Sequence, residues 1–261
     1  DQEVVRSADG RFALEYGESL PVESWNAQIS LLTGMAGAGI MLDAGFGLLR
    51  TLPPPDPRTV SRLRRTARAL GIEWPDRMGY AERVRGLQPD TPAKAALLAQ
   101  SARGLRGAGY VAFRDHDLPE HPRHSAIAST YAHVTAPLRR LCDRFANEII
   151  AAACADRVAP EWALAALDEL PSHMGRATQH DHRLERAMVD LVEALVLSDR
   201  VGERFSGVVT DVDDDHGRVQ LRDPAVVATL EGTDYALGDE LEVVLVEADP
   251  EARRVVFDVS G

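Results

Sequence analysis

Tyr131-Ala132-His133-Val134-Thr135-Ala136-Pro137-Leu138-Arg139-Arg140-Leu141-Cys142-Asp143 carries more chemical information than any other stretch of this chain. Leu138, Leu141, Phe145 and Ile149 recur at helical spacing, which predicts a helix from Pro137 to Ala155. Proline suits a first helical turn, because its missing N–H breaks no bond there, and Thr135 or its neighbour can cap the start. Arg139 and Arg140 then fall in that first turn, where the helix dipole disfavours cations. An anion would reverse the penalty, since free N–H groups and guanidinium forks together cradle phosphate. The alternative is an ordinary surface pair between Arg139 and Asp143, one turn on.

Working outward, the region upstream reads as helices joined by short extended pieces. Asp9-Gly10 suits a hairpin turn between Val4-Val5 and Phe12-Ala13-Leu14. Glu23 to Leu42 reads as a helix ended by Gly45 and Gly47, and Gly34, Gly37 and Gly39 within it point to close packing. Pro53-Pro54-Pro55 is a rigid connector to an arginine-rich helix from about Thr59 to Leu70, whose Arg62, Arg64, Arg65 and Arg68 form either a basic patch or a solvated face. Further helices are expected at Pro92 to Gly104, Pro160 to Leu170 and Ser172 to Leu197, with a short strand at Tyr110 to Ala112. His116, His121 and His124 sit in a proline-broken loop without metal-ligand spacing.

The tail changes period. Arg204 to Asp211, Gly217 to Arg222, Ala225 to Leu230, Glu240 to Glu247 and Arg253 to Val259 are five valine-rich strand candidates, which suits a small OB-type barrel. Asp211 to Gly217 imitates a calcium loop, but the sixth place is His216 and the twelfth Arg222, where glycine and glutamate are required. Gly217 is therefore read as a hairpin turn. Net charge is −12, and residues 203–261 hold most of it, with 15 acidic against five basic side chains. The rest is nearly neutral and has room for local basic surfaces. A barrel face that binds a nucleic-acid strand wants cations and aromatics, and Phe205, Tyr235 and Phe257 are the aromatics available.

The run from Tyr131 to Asp143 closely resembles the signature of the ribonuclease II/ribonuclease R (RNB) family, Tyr-x-His-Phe-Thr-Ser-Pro-Ile-Arg-Arg-Tyr-x-Asp. Tyr131, His133, Thr135, Pro137, Arg139, Arg140 and Asp143 match, while Val134, Ala136, Leu138 and Leu141 depart from it. Val22 to Met35 loosely resembles a family helix with a Glu-x-x-x-x-x-Asn-type pattern. Leu49 to Asp56 is similar to the family's Tyr-Arg-x-His-x-x-Pro stretch, with Leu52 in place of the histidine. Leu184 to Asp190 resembles the Ala-Glu-Arg-Asp-x-x-Asp segment, and the strands near Phe205 and Gly238 resemble the RNA-binding barrel that ends these enzymes. The resemblance implies an α+β fold: residues 1–200 as the mostly helical C-terminal half of an RNB catalytic domain, and residues 201–261 as a five-stranded antiparallel OB-type barrel.

The same resemblance implies roles. Arg139 would contact the scissile phosphate region as the catalytic residue of this segment, with Arg140, Tyr131, His133 and Thr135 at the RNA. Glu185 would lie near the 3′-terminal nucleotide; read without the family, it is a solvated helix position. Family members hold divalent metal with aspartates ending Asp-Asp-Ala, and residues 1–130 contain no such cluster. The expectation is thus the distal half of a 3′-to-5′ exoribonuclease, inactive alone, with Mg2+ held outside this segment and no metal ligands within it. Its partners would be single-stranded RNA and the upstream half of the same protein, with no membrane and no DNA. The longest apolar run, Ile149 to Ala155, is too short for a span, and Cys142 and Cys154 read as buried thiols in a reducing cytoplasm. The alternative function is a non-catalytic RNA-binding or assembly module that keeps the RNB fold.

Overall fold

The computed structural model describes residues 2–6, 10, 12–16, 20–88, 90–102, 107–213 and 216–259. In chain order the elements are β1 (Gln2–Arg6), β2 (Phe12–Tyr16), α1 (Pro21–Ala44), β3 (Gly47–Thr51), α2 (Pro57–Ala69), α3 (Tyr80–Arg85), α4 (Pro92–Ala102), β4 (Gly109–Phe113), β5 (Arg123–His124) and β6 (Ser129–Thr130). They continue with α5 (Leu141–Cys154), α6 (Glu161–Ala166), α7 (Leu170–Leu197) and a 3-10 turn at Ser198–Arg200. The tail holds β7 (Arg204–Val212), β8 (His216–Leu221), β9 (Val227–Glu231), β10 (Glu240–Asp249) and β11 (Arg254–Val259). Contacts divide the chain into two units: Asp1–Glu18, Asp56–Gly104 and Arg183–Gly261 in one, and Ser19–Pro55 with Leu105–His182 in the other.

The first unit contains the barrel. Its strands close in the order β10-β11-β9-β8-β7. Four pairings are antiparallel, but β11 runs parallel to β9, with Val256 opposite Thr229 and Phe257 opposite Leu230. The barrel is therefore not wholly antiparallel as expected: a strand that closes an odd-numbered barrel has to run alongside one neighbour in the same direction. Alternating burial along β8 puts Gly217, Val219 and Leu221 inside. Gly217 is thus a strand residue and not the turn, whose tip falls outside the described residues. A Cβ there would meet the Tyr235 ring at 2.6 Å and the Asp211 carbonyl at 2.9 Å, so packing demands the glycine. Phe205, Tyr235 and Phe257 are all buried in the barrel core, with Phe205 and Phe257 edge to face at 5.6 Å.

Elsewhere in this unit β1 and β2 form the expected hairpin, although Asp9, half of its expected turn, lies outside the described residues. Glu193 on α7 is buried and accepts from Gln2 Nε2 at 2.6 Å and from the Val227 N–H at 2.8 Å, which fastens the hairpin and α7 to β9. The arginine-rich α2 is a structural helix as much as a charged one. Leu63 and Ala67 are buried, and Arg64 donates to the carbonyls of Trp74, Pro75, Asp76 and Met78.

The second unit is built on the β3–β4 pair, α1 and α5. Its core holds Ala38, Met41, Leu49, Phe113, Val134, Ala146 and Ile149. Gly34 lets α1 approach the backbone of residues 131–132: its carbonyl accepts from the Ala132 N–H at 3.1 Å, and a Cβ would collide with the Tyr131 ring. Gly37 is similarly tight against Val134 and Ile150 at 3.1 Å, whereas Gly39 faces open space and the close packing expected there is absent. α1 is long and apolar enough to cross a membrane by length and composition, although glycines and polar residues interrupt its apolar run. Its later turns are core, with Gly34, Gly37, Ala38 and Met41 buried. Its first turns are exposed, including Val22, Trp25, Ile29 and Leu32. Cys142 is buried as expected, but Cys154 is exposed.

Candidate functional site

The helix expected from Pro137 starts four residues later. Pro137 to Arg139 form a turn, Arg140 is extended at φ −121° and ψ 117°, and α5 begins at Leu141. The cause is Asp143. Its carboxylate accepts from the Ala136 N–H at 2.7 Å and from Arg140 through Nε and Nη2, each at 3.0 Å. This fully buried carboxylate occupies the space where an anion was expected and holds the preceding loop as a compact bend. Thr135 is exposed and caps nothing among the described residues.

The two neighbouring arginines consequently part company. Arg140 is committed to Asp143, with its side chain 19% exposed. Arg139 is exposed on the bend, and among the described residues its guanidinium has no hydrogen-bond or ion-pair partner. Leu138 beside it is fully exposed. The expected surface pair is therefore made by Arg140 and is not a surface pair, while Arg139 is the available cation.

Residues 131–134 are held from three sides. Tyr131 accepts from the Arg50 N–H at 2.8 Å, Ala132 donates to Gly34, and Val134 accepts from Asn147 Nδ2 at 3.0 Å. Tyr131 is buried, its ring edge to face with His133 at 5.6 Å and with His124 at 6.0 Å. Direct RNA contact expected of Tyr131 is thereby limited, and its visible work is to position the bend. On the adjoining β3–β4 pair, Arg50 lies directly opposite Tyr110, with its Cζ 4.6 Å above the ring centre. The Tyr110 hydroxyl meets His133 Nδ1 at 2.7 Å.

Electrostatics fix the protonation of this cluster. Burial, then the positive charges of Arg140 and Arg50, lowers the His133 pKa to about 4, so the ring is neutral at pH 7. Burial chiefly raises the pKa of Tyr110, so its hydroxyl stays protonated beside His133 Nδ1. His124 is lowered by burial and by Arg50, and its Nδ1 is buried with no partner among the described residues. The Cys142 thiol is pushed up to about 12 by burial and by Asp143 beside it.

His133, Cys142 and Asp143 bring one ligand atom each within 4.8 Å of one another. They do not suit magnesium, which demands near-octahedral oxygen donors. The single carboxylate is already spent on Arg140 and Ala136, and the thiol stays protonated. Glu185 is exposed on α7 in the barrel-containing unit, whereas Tyr131, His133, Thr135, Arg139 and Arg140 belong to the other. Arg50 and Tyr110 were missed as site residues. Arg50 sits inside the Leu49 to Asp56 stretch that carries a family resemblance, but its pairing across strands with Tyr110 is not written in local sequence. Among the described residues the barrel exposes no phenylalanine, tyrosine or tryptophan, and the outward side chains of β7 and β8 include Arg204 and Arg218 as cations.

Helices around a strand pair and a closed five-stranded barrel make this an α+β protein with an OB-type barrel. Residues 203–260 match the family model described as the RNase II-type exonuclease C-terminal S1 domain. Ribonuclease R of Aquifex aeolicus (strain VF5) is 23% identical over 94% of this chain and 39% of its own length. Ribonuclease R of Escherichia coli (strain K12) is 22% identical over 81% of this chain and 30% of its own length. The structure of Mycoplasma genitalium RNase R in complex with ribose-methylated single-stranded RNA superposes with a TM-score of 0.85 at 16% identity, over 100% of this chain and 45% of that one. The chain thus spans about two fifths of the first of these curated relatives. Together these findings show an RNase II-type S1 domain at residues 203–260 and similarity to ribonuclease R along most of the chain.

Proposed function

We propose that this chain is the C-terminal part of a 3′-to-5′ exoribonuclease that degrades single-stranded RNA processively to nucleoside 5′-monophosphates in the cytoplasm. The observation that carries the reading is Arg139: a guanidinium without a partner among the described residues, on a bend that a buried ion pair holds in place. A cation presented without a carboxylate of its own is suited to clamp phosphate, and the fixed bend removes the entropy of placing it. Arg140 acts by fixing that bend through Asp143, His133 by its neutral, oriented ring, and Thr135 as an exposed hydroxyl beside it. Glu185 would hydrogen-bond the hydroxyls of the terminal ribose from α7. The barrel would add weak electrostatic contact through Arg204 and Arg218 and no base stacking, since its three aromatics are inside.

Magnesium would be held by aspartates of an upstream segment, since the His133, Cys142 and Asp143 group does not suit it. The test mixes this chain with the upstream segment encoded with it, magnesium and 5′-labelled single-stranded RNA. Shortening from the 3′ end supports the proposal; binding with no shortening would leave a module that holds RNA without cutting it.

A further inference from the structure

We infer that Arg50 is a second phosphate-binding residue for single-stranded RNA, a role that rests on the RNA-binding reading above. Arg50 is partly buried on β3, and its guanidinium packs over the Tyr110 ring at 4.6 Å. Among the described residues it has no carboxylate partner and no side-chain hydrogen bond. The buried carboxylate of this cluster, Asp143, is taken in two-pronged fashion by Arg140, with Nε and Nη2 each at 3.0 Å. His133 and His124 are both held neutral by burial, so neither imidazole adds charge and neither can balance any. Arg50 is left as one uncompensated positive charge set among Tyr110, His124, Tyr131 and His133.

Partial burial of a charge with no counter-ion is costly, and the stacked ring covers one face of the guanidinium while leaving its in-plane N–H groups unspent. A phosphate oxygen in that plane would satisfy both needs, because guanidinium and phosphate match in charge and fork geometry. The backbone explains why the charge is presented here. The Arg50 N–H donates to the Tyr131 carbonyl, and that bond ties β3 to the segment leading into the Arg139 bend. The buried, partnerless Nδ1 of His124 is a second polar atom in the same cluster with unused capacity. Arg139 and Arg140 are neighbours in sequence, but the geometry points to Arg139 and Arg50, with Arg140 consumed by the fold.

The test measures fluorescein-labelled oligouridylate binding to this chain by anisotropy across a salt series, for wild type, Arg50→Gln, Arg50→Lys, Arg139→Gln and Arg140→Gln. Each phosphate contact on a single strand adds about 0.7 to the slope of log affinity against log salt. Arg50→Gln is expected to weaken binding about tenfold and lower the slope by about 0.7, with an unchanged circular dichroism spectrum, and Arg50→Lys to restore the slope. Arg140→Gln is expected to lower the melting temperature, because it strands the buried Asp143 carboxylate. Weakened binding at an unchanged slope would make Arg50 a packing residue and overturn the inference. Loss of slope in Arg139→Gln but not in Arg50→Gln would overturn it while sparing the Arg139 clamp. A wild-type chain that binds no oligonucleotide would overturn both.

Discussion

Asp143 accepts three hydrogen bonds, from the Ala136 N–H and two Arg140 nitrogens, with no exposed surface. Removing its charge strands a half-buried guanidinium and loosens the bend that presents Arg139. Asp143→Asn should destabilise the unit by about 3 kcal/mol, read as a lowered urea midpoint, because breaking one side of a buried pair leaves the other uncompensated. A midpoint within error of wild type would show that the pair holds nothing in place. His133 gives a second test at this scale. Its pKa falls from 6.5 to about 4 in the folded chain, so between those values the unfolded chain takes up a proton that the folded chain refuses. Its contribution to stability is therefore complete above pH 6.5 and is lost as pH falls toward about 4. Urea unfolding at pH 7, 5.5 and 4 should show His133→Gln losing less stability on acidification than wild type. The motif letters were legible in sequence; the use of Asp143 as the bend's anchor was not, because a carboxylate seven residues after Ala136 reads equally well as a surface partner of Arg139.

At the scale of elements, helix periods and the five tail strands followed from apolar spacing, and most boundaries fell within a few residues. The misplacements have physical causes. α5 starts late because Asp143 in its first turn reaches back to the Ala136 N–H and to Arg140 and holds the residues between in a bend. Gly217 was read as a turn because local pattern cannot show the Tyr235 ring that lies against it. Gly34 combines both kinds of information, as a poor helix former whose missing Cβ admits the Tyr131 ring and the Ala132 backbone. Gly34→Ala should raise intrinsic helix preference by about 1 kcal/mol yet destabilise the protein net, by about 1–3 kcal/mol from overpacking. A thermal melt decides the sign, and a raised midpoint would mean that Tyr131 yields freely.

For the whole molecule, net charge would have argued against RNA as a ligand, and its distribution answers that objection. The acid is concentrated in the barrel-bearing tail, where the aromatics also turn inward, so affinity is expected to reside in the arginines around residues 131–143 and at Arg50. Arg204→Gln with Arg218→Gln should therefore weaken RNA binding by no more than about threefold and lower the salt slope by no more than about 0.5, with ring-stacking contributing nothing. A loss as deep as that of Arg139→Gln would relocate the main contact to the barrel. The parallel closure of β11 on β9 and the grouping of tail, hairpin and α2–α4 into one unit depend on pairings far apart in sequence, which apolar periodicity does not encode.

The central claim is that Arg139 clamps phosphate in an RNA-degrading enzyme, and one measurement addresses it most directly. This chain is combined with its upstream segment and magnesium, and 5′-labelled single-stranded RNA is followed on a sequencing gel for wild type and Arg139→Ala. The account predicts a ladder shortening from the 3′ end with wild type and a loss of at least about a hundredfold in rate with Arg139→Ala, the scale of removing one preorganised charge contact. A wild-type ladder that Arg139→Ala reproduces at the same rate would contradict it.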